Sequence, residues 1–228
     1  MLIAAEGIDG AGKTTLLDRL AADLESRGRP VVRVRRYILQ DVTDVWWRLV
    51  DADVIDQRGT ALLAAADYEL GVRNVIRPAL EDGAVVLADK YVYSHYVYFH
   101  RRGLALDELQ AMFGEVLVPD VVIYLTLPID TSLERLRGMG DKPDLLEAGL
   151  DHRLGLSIGQ AYRRYGLGGA PTDVRESHFI QEHARDAELF GRVLPPDVTY
   201  TLDGTRAREE IYSAALDFVT ARMEGVVG

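Results

Sequence analysis

Cysteine is absent from all 228 residues. That excludes disulfide staples and thiolate metal sites, and with them any redox role resting on sulfur. No run approaches the ~18 apolar residues of a membrane-spanning helix, and no basic stretch followed by a long apolar one opens the chain. The expectation is a cytoplasmic protein with no membrane partner. A basic surplus is missing too: 26 Lys and Arg against 36 Asp and Glu give a net charge of −10. Proteins that grip nucleic acid draw most non-specific affinity from neutralising phosphates, so a nucleic-acid partner is not expected. Internal repeats, low-complexity tracts and obvious linkers are also lacking. At 48% hydrophobic and 27% charged, the chain reads as a single domain over residues 1–228.

Short apolar runs punctuate it. Leu2–Glu6, Val31–Val34, Ala84–Ala88, Val121–Leu127 and Val198–Leu202 read as strands. Between them, Leu16, Leu17, Leu20 and Leu24 recur at helical spacing up to Gly28–Pro30. Further helices are expected over Asp44–Ala52, Thr60–Leu80, Leu106–Leu117, Asp130–Arg137, Asp151–Tyr165 and Ala207–Met223. Gly166–Thr172 reads as a loop, and Gly138–Gly149 as a lid or an irregular turn. Wholly apolar strands alternating with helices imply an α/β fold with a parallel sheet covered on both faces.

Gly7-Ile8-Asp9-Gly10-Ala11-Gly12-Lys13-Thr14 satisfies G-x-x-x-x-G-K-[ST] between the first strand and the first helix. Glycines let main-chain N–H groups turn inward and let phosphate oxygens approach closely. The following helix adds the positive end of its dipole. Lys13 has the reach for β- and γ-phosphates, and the Thr14 hydroxyl suits Mg²⁺. The loop specifies a triphosphate donor and leaves the acceptor open. Asp89-Lys90 closes the third strand, where ligands bind in open α/β sheets. A carboxylate there can serve Mg²⁺ or orient an attacking oxygen; equally, the pair is a solvated turn.

Glu6 through Thr15 (EGIDGAGKTT) and Asp89 through Ser94 (DKYVYS) together resemble the thymidylate kinases, with their EGxDGAGKTT loop and DRYxxSxxAYQ stretch. The runs LLAAADYELGVRNVIRPALEDGAVVLADKY, VPDVVIYLTLPIDTSLERL and VTYTLDGTRAREEI extend the resemblance over most of the chain. It implies a P-loop kinase fold with five parallel strands and a lid, about residues 138–150, after the fourth strand. It also implies ATP- and Mg²⁺-dependent phosphorylation of a nucleoside monophosphate by a homodimer, with Thr60–Leu80 or Leu106–Leu117 as candidate dimer faces. On the donor side it assigns Gly7, Asp9, Gly10, Ala11, Gly12, Lys13, Thr14 and Thr15 to ATP, with Thr14 and Asp89 at the metal. Asp9 would face the acceptor sugar, Lys90 would stand where the family grips the acceptor phosphate, and Arg135, Arg137 and Lys142 would supply lid or adenine contacts. Lys13, Asp89 and Arg135 are the catalytic candidates.

The departures fall on the acceptor side. Ala66-Asp67-Tyr68 replaces Ala-Asp-Arg, Lys90 replaces the DRY arginine and its bidentate fork, and Phe99 replaces the AYQ glutamine. RRYILQDVTDVWW replaces R-E-P-G-G-T after the second strand. The acceptor candidates are therefore Asp9, Tyr68, Arg73, Lys90, Tyr91, Ser94 and Phe99, with Arg73 a substitute for the arginine lost at 68. Tyr93, Tyr96, Tyr98, Trp46 and Trp47 either join them around a flat, less polar acceptor or belong to the core. An alternative is a P-loop kinase of a modified nucleotide or of a hydroxyl-bearing metabolite, with Asp89 as base. A GTPase-like switch is disfavoured, because N-K-x-D is missing and Asp203-Gly204 lies too late for D-x-x-G.

Overall fold

A computed structural model describes residues 1–138, 149, 151, 156–165 and 171–225. Five strands, β1 (Leu2–Glu6), β2 (Val31–Arg35), β3 (Val85–Asp89), β4 (Val121–Thr126) and β5 (Thr199–Asp203), form one sheet in the order β2-β3-β1-β4-β5. Every pairing is parallel. Alternation along the central strand assigns its two faces. Ile3 and Ala5 pack with Leu16, Leu17, Leu20 and Leu24 of α1 (Lys13–Ser26), and with Ile211, Ala215 and Val219 of α11 (Arg208–Met223). Leu2 and Ala4 face the opposite layer, built from α3 (Gln57–Gly71), α5 (Val92–Arg101) and α6 (Leu106–Phe113). With both faces covered, the strands lose the polar alternation of a solvated sheet, which is why they read as plain apolar runs.

The expected helix over Thr60–Leu80 is three pieces end to end: α3, a π-helical turn (Val72–Ile76) and α4 (Arg77–Glu81). Pro78 lacks an N–H and its ring crowds the carbonyl four residues back, and widening the turn just before it relieves that conflict. The helix expected over Leu106–Leu117 stops at Phe113, where Gly114 takes φ 65°. α2 (Gln40–Asp51) starts earlier than Asp44, and α7 (Ile129–Gly138) follows β4. α8 (Ile158–Tyr165) matches the end of the Asp151–Tyr165 expectation. Two helices were not foreseen: α9 (Thr172–His183), which starts inside the expected Gly166–Thr172 loop, and α10 (Asp186–Val193). The expected lid, Lys142 included, lies almost wholly outside the described residues. Among the described residues no helix is long and apolar enough to cross a membrane.

Candidate active site

The loop between β1 and α1 turns on glycine. Gly7 has φ 138°, and a Cβ there would sit 2.4 Å from the Leu125 carbonyl oxygen. Gly12 has φ 98° with nothing near its missing Cβ, so backbone conformation rather than space selects it. Gly10 and Ala11 lie between them, and Thr14 and Thr15 are exposed on the first turn of α1. The loop is braced from outside. Ser132 Oγ donates to the Asp9 carbonyl at 2.6 Å, and Arg135 donates to the Gly10 and Gly204 carbonyls at 3.2 and 2.7 Å. Arg135 thus ties the loop to the turn after β5. Lys13 is buried, its Nζ donating to the Ile8 carbonyl at 2.8 Å and lying 3.8 Å from Asp9. Burial, then the nearby Lys90 charge, pull its pKa down.

Across the crevice, β1 and β3 bring their carboxyl ends together. Thr14 Oγ1 donates to Asp89 Oδ2 at 2.5 Å. Hydroxyl and carboxylate oxygens side by side at a helix N-terminus suit a hard divalent cation such as Mg²⁺. No cluster of three His, Asp or Glu among the described residues could hold a metal. A cation here would therefore draw the rest of its shell from phosphate oxygens and water. Lys90 takes φ 65° and donates to Asp9 at 2.6 Å. Burial pushes the Asp9 carboxyl up, but Lys90 and then Lys13 outweigh it and hold it well below the usual carboxylate range.

Sequence reasoning missed the groups underneath. Glu6, fully buried at the end of β1, accepts from the Tyr91 N–H at 2.9 Å and from the Ser94 hydroxyl. It therefore anchors the N-terminus of α5, and burial raises its pKa to about 7. Asp67, the middle residue of Ala66-Asp67-Tyr68, accepts from the Ile38 and Leu39 N–H groups, both at 2.8 Å, and fixes the loop after β2. His95 Nε2 lies 3.0 Å from the Arg36 carbonyl. Burial, then the Arg36 charge, lower its pKa to about 3. The sequence signal for Glu6 and Asp67 was their place inside motifs read for other residues. For His95 there was none.

Several acceptor candidates sit elsewhere than expected. Tyr68 and Tyr91 are buried, and their hydroxyls complete a ring with one residue: Leu117 N–H donates to Tyr68 at 2.8 Å, Tyr68 and Tyr91 lie 3.1 Å apart, and Tyr91 donates to the Leu117 carbonyl at 3.0 Å. These tyrosines clamp the chain leading into β4. Phe99 is fully buried and stacks on His95, and Ser94 is committed to Glu6. Tyr93, Tyr96 and Tyr98 belong to the same core, and Trp46 to a smaller one with Val50 and Ile158. Trp47 packs against Tyr162. The core reading of the aromatics holds for most of them. Arg73 is exposed on the π turn, joined to no other candidate by a hydrogen bond or ion pair among the described residues. Arg137 is exposed and forks onto Glu176 of α9, with both bonds at 2.7 Å.

Known sequences match the segment that carries the loop, Asp89 and Lys90. Residues 5–148 match the family described as thymidylate kinase. The chain belongs to the thymidylate kinase family. A Xanthomonas oryzae pv. oryzae protein named "Thymidylate kinase" is 38% identical over 211 residues, covering 86% of this chain and 89% of its own length. A Pyrococcus abyssi protein named "Probable thymidylate kinase" is 32% identical over 192 residues, covering 77% and 91%. The chain is thus a nucleotide kinase, a phosphotransferase that uses ATP as a substrate.

Proposed function

We propose that this kinase transfers the γ-phosphoryl group of ATP to dTMP, giving dTDP and ADP. The observation that carries the reading is the meeting, at one crevice, of the loop with Lys13, the Thr14–Asp89 pair and the Asp9–Lys90 pair. Phosphoryl transfer asks for alignment and charge neutralisation more than covalent help. Main-chain N–H groups of Gly10 through Thr15 and the Lys13 ammonium would hold the donor phosphates. Mg²⁺, held through Thr14 and Asp89, would offset charge on the β- and γ-phosphates. A monophosphate acceptor is already an anionic nucleophile, so Asp89 need not act as a base. The Asp9–Lys90 pair would present an acceptor for the sugar hydroxyl beside a fixed positive charge. Arg135 would act by keeping the loop in shape.

We further propose one domain over residues 1–228 with a lid near 138–150, acting as a homodimer. Leu62 and Leu70 stand exposed on α3, 46% and 40%, and give that helix an apolar outer edge suited to self-association. A coupled ADP-release assay over nucleoside monophosphates and nucleosides tests the function, with Lys13→Ala as the control. ADP formation stimulated by dTMP is the expected result. Stimulation by no nucleotide would overturn it.

A further inference from the structure

Glu6 closes the central strand. Leu2 and Ala4 enter the apolar layer that includes α5, and the alternation of a strand puts Glu6 on that same face. A carboxylate is a costly occupant of such a layer, and an apolar side chain of similar volume would pack at least as well. Packing alone therefore does not account for it.

What Glu6 holds is the turn that carries Asp89 and Lys90. Ala5 is in register with Asp89, and the Ala5 carbonyl accepts from the Lys90 N–H at 3.0 Å. One residue on, Glu6 Oε1 accepts from the Tyr91 N–H at 2.9 Å and from the Ser94 N–H at 3.4 Å, while Oε2 takes the Ser94 hydroxyl. Asp89 through Ser94 is thus wrapped around one carboxylate. Within that turn Lys90 holds φ 65°. A non-glycine residue keeps such a backbone only where its surroundings fix it. Glu6 is also joined directly to Gly7, where the phosphate loop begins and a Cβ would strike the Leu125 carbonyl. The same residue therefore stands at the root of the loop bearing Lys13 and Thr14 and at the centre of the turn bearing Asp89 and Lys90.

We infer that Glu6 is a positioning residue for phosphoryl transfer: through Tyr91 and Ser94 it sets Asp89 and Lys90 in the alignment with the phosphate loop that the Thr14–Asp89 and Asp9–Lys90 pairs require. The inference rests on those pairs serving the metal and the acceptor, as proposed above. Its effect falls on the transfer rate. A displacement of about 1 Å can cost transfer about 10²-fold, whereas the binding of each nucleotide is spread over many contacts.

Steady-state kinetics with ATP, Mg²⁺ and dTMP test this on Glu6→Ala, Ser94→Ala and Glu6→Gln, well below each variant's melting temperature. Glu6→Ala is expected to lower kcat about 10- to 100-fold and Ser94→Ala about 3- to 10-fold, with both KM values within about three-fold of wild type. Glu6→Gln keeps an acceptor for the Tyr91 N–H and offers a donor to the Ser94 oxygen, so kcat should recover to within about three-fold of wild type. A purely structural role would lower the melting temperature and leave the kcat of folded enzyme unchanged, and that result would overturn the assignment. So would KM values that rise in step with the loss of kcat, or a Glu6→Gln enzyme as slow as Glu6→Ala. If Glu6→Ala does not fold by circular dichroism, Ser94→Ala must show the selective fall in kcat or the assignment fails. If dTMP does not stimulate the wild type, the dTMP reading falls by itself. The same split is then measured with the nucleoside monophosphate that does stimulate it or, where none does, on acceptor-independent ADP release, and its absence there overturns the assignment as well.

Discussion

The two sides of the crevice are built differently. On the function proposed above, the donor side would be one contiguous stretch, Gly7 through Thr15, offering mostly main-chain N–H groups in a loop where Gly7, Gly10 and Gly12 take positive φ. The acceptor side would be assembled from the β2 loop, α3, β3 and α5, whose side chains are stacked or hydrogen-bonded in layers. Tyr98 shows the layering. Its ring meets Arg36 at 5.1 Å and Arg102 at 3.7 Å, and Arg102, deeply buried, pairs with Glu182 at 3.0 Å. One side therefore depends on backbone conformation and the other on side-chain packing across the sequence. Substitutions should fail differently on the two sides.

The largest difference is expected at Lys13. Lys13→Ala should lower kcat by about 10²–10³-fold, the scale for losing one preorganised charge-stabilising donor, with the fold intact by circular dichroism. Asp89→Asn should weaken the dependence on Mg²⁺ by about 10–100-fold and leave acceptor binding unchanged. If Lys13→Ala kept near-wild-type turnover, the loop would not be the donor cradle and the contrast would collapse.

Tyr68→Phe probes the other side. The Leu117 N–H would lose its acceptor inside the core, so a stability loss of about 1–3 kcal/mol is expected in denaturant melts. The acceptor KM should stay near wild type, because the hydroxyl serves Leu117. A raised KM at unchanged stability would put Tyr68 on the acceptor after all.

The same difference decides what could be read from sequence. A contiguous loop whose chemistry needs glycine at set places writes itself as a motif, so Gly7 through Thr15 were legible. So was the sheet, because strands covered on both faces become apolar runs. The acceptor wall was not. Tyr68, Tyr91 and Phe99 share residue types with a ligand-binding surface, and only burial and hydrogen-bond partners separate the two. Arg36 and Lys90 lie far apart in sequence and become neighbours through the β2–β3 register. α9 and α10 carry ionic partners of α5 on faces that a solvated helix would leave polar, so their pattern gave no core stripe: Arg101, for one, meets Asp186 at 2.9 Å.

The smallest effect concerns pH. Glu6 on the donor strand and His95 on the acceptor helix are both buried, and their pKa values shift in opposite directions. Glu6 rises from 4.5 to about 7, so the folded state holds its proton more tightly than the unfolded chain. Its contribution is complete below pH 4.5 and is lost as pH rises toward 7. His95 falls from 6.5 to about 3, so the unfolded chain takes up the proton first. Its contribution is complete above pH 6.5 and is lost as pH falls toward 3. In the overlap, pH 4.5 to 6.5, the two slopes oppose each other, each at most about 1.4 kcal/mol per pH unit. The wild type should therefore show little net slope from this pair. Glu6→Gln should make stability climb more steeply with pH across that window, and His95→Phe should make it fall. The slope is the readout, measured as denaturant midpoints in matched buffers, so a lowered baseline in either variant does not matter. Identical slopes in wild type and both variants would mean that neither group titrates as its burial requires.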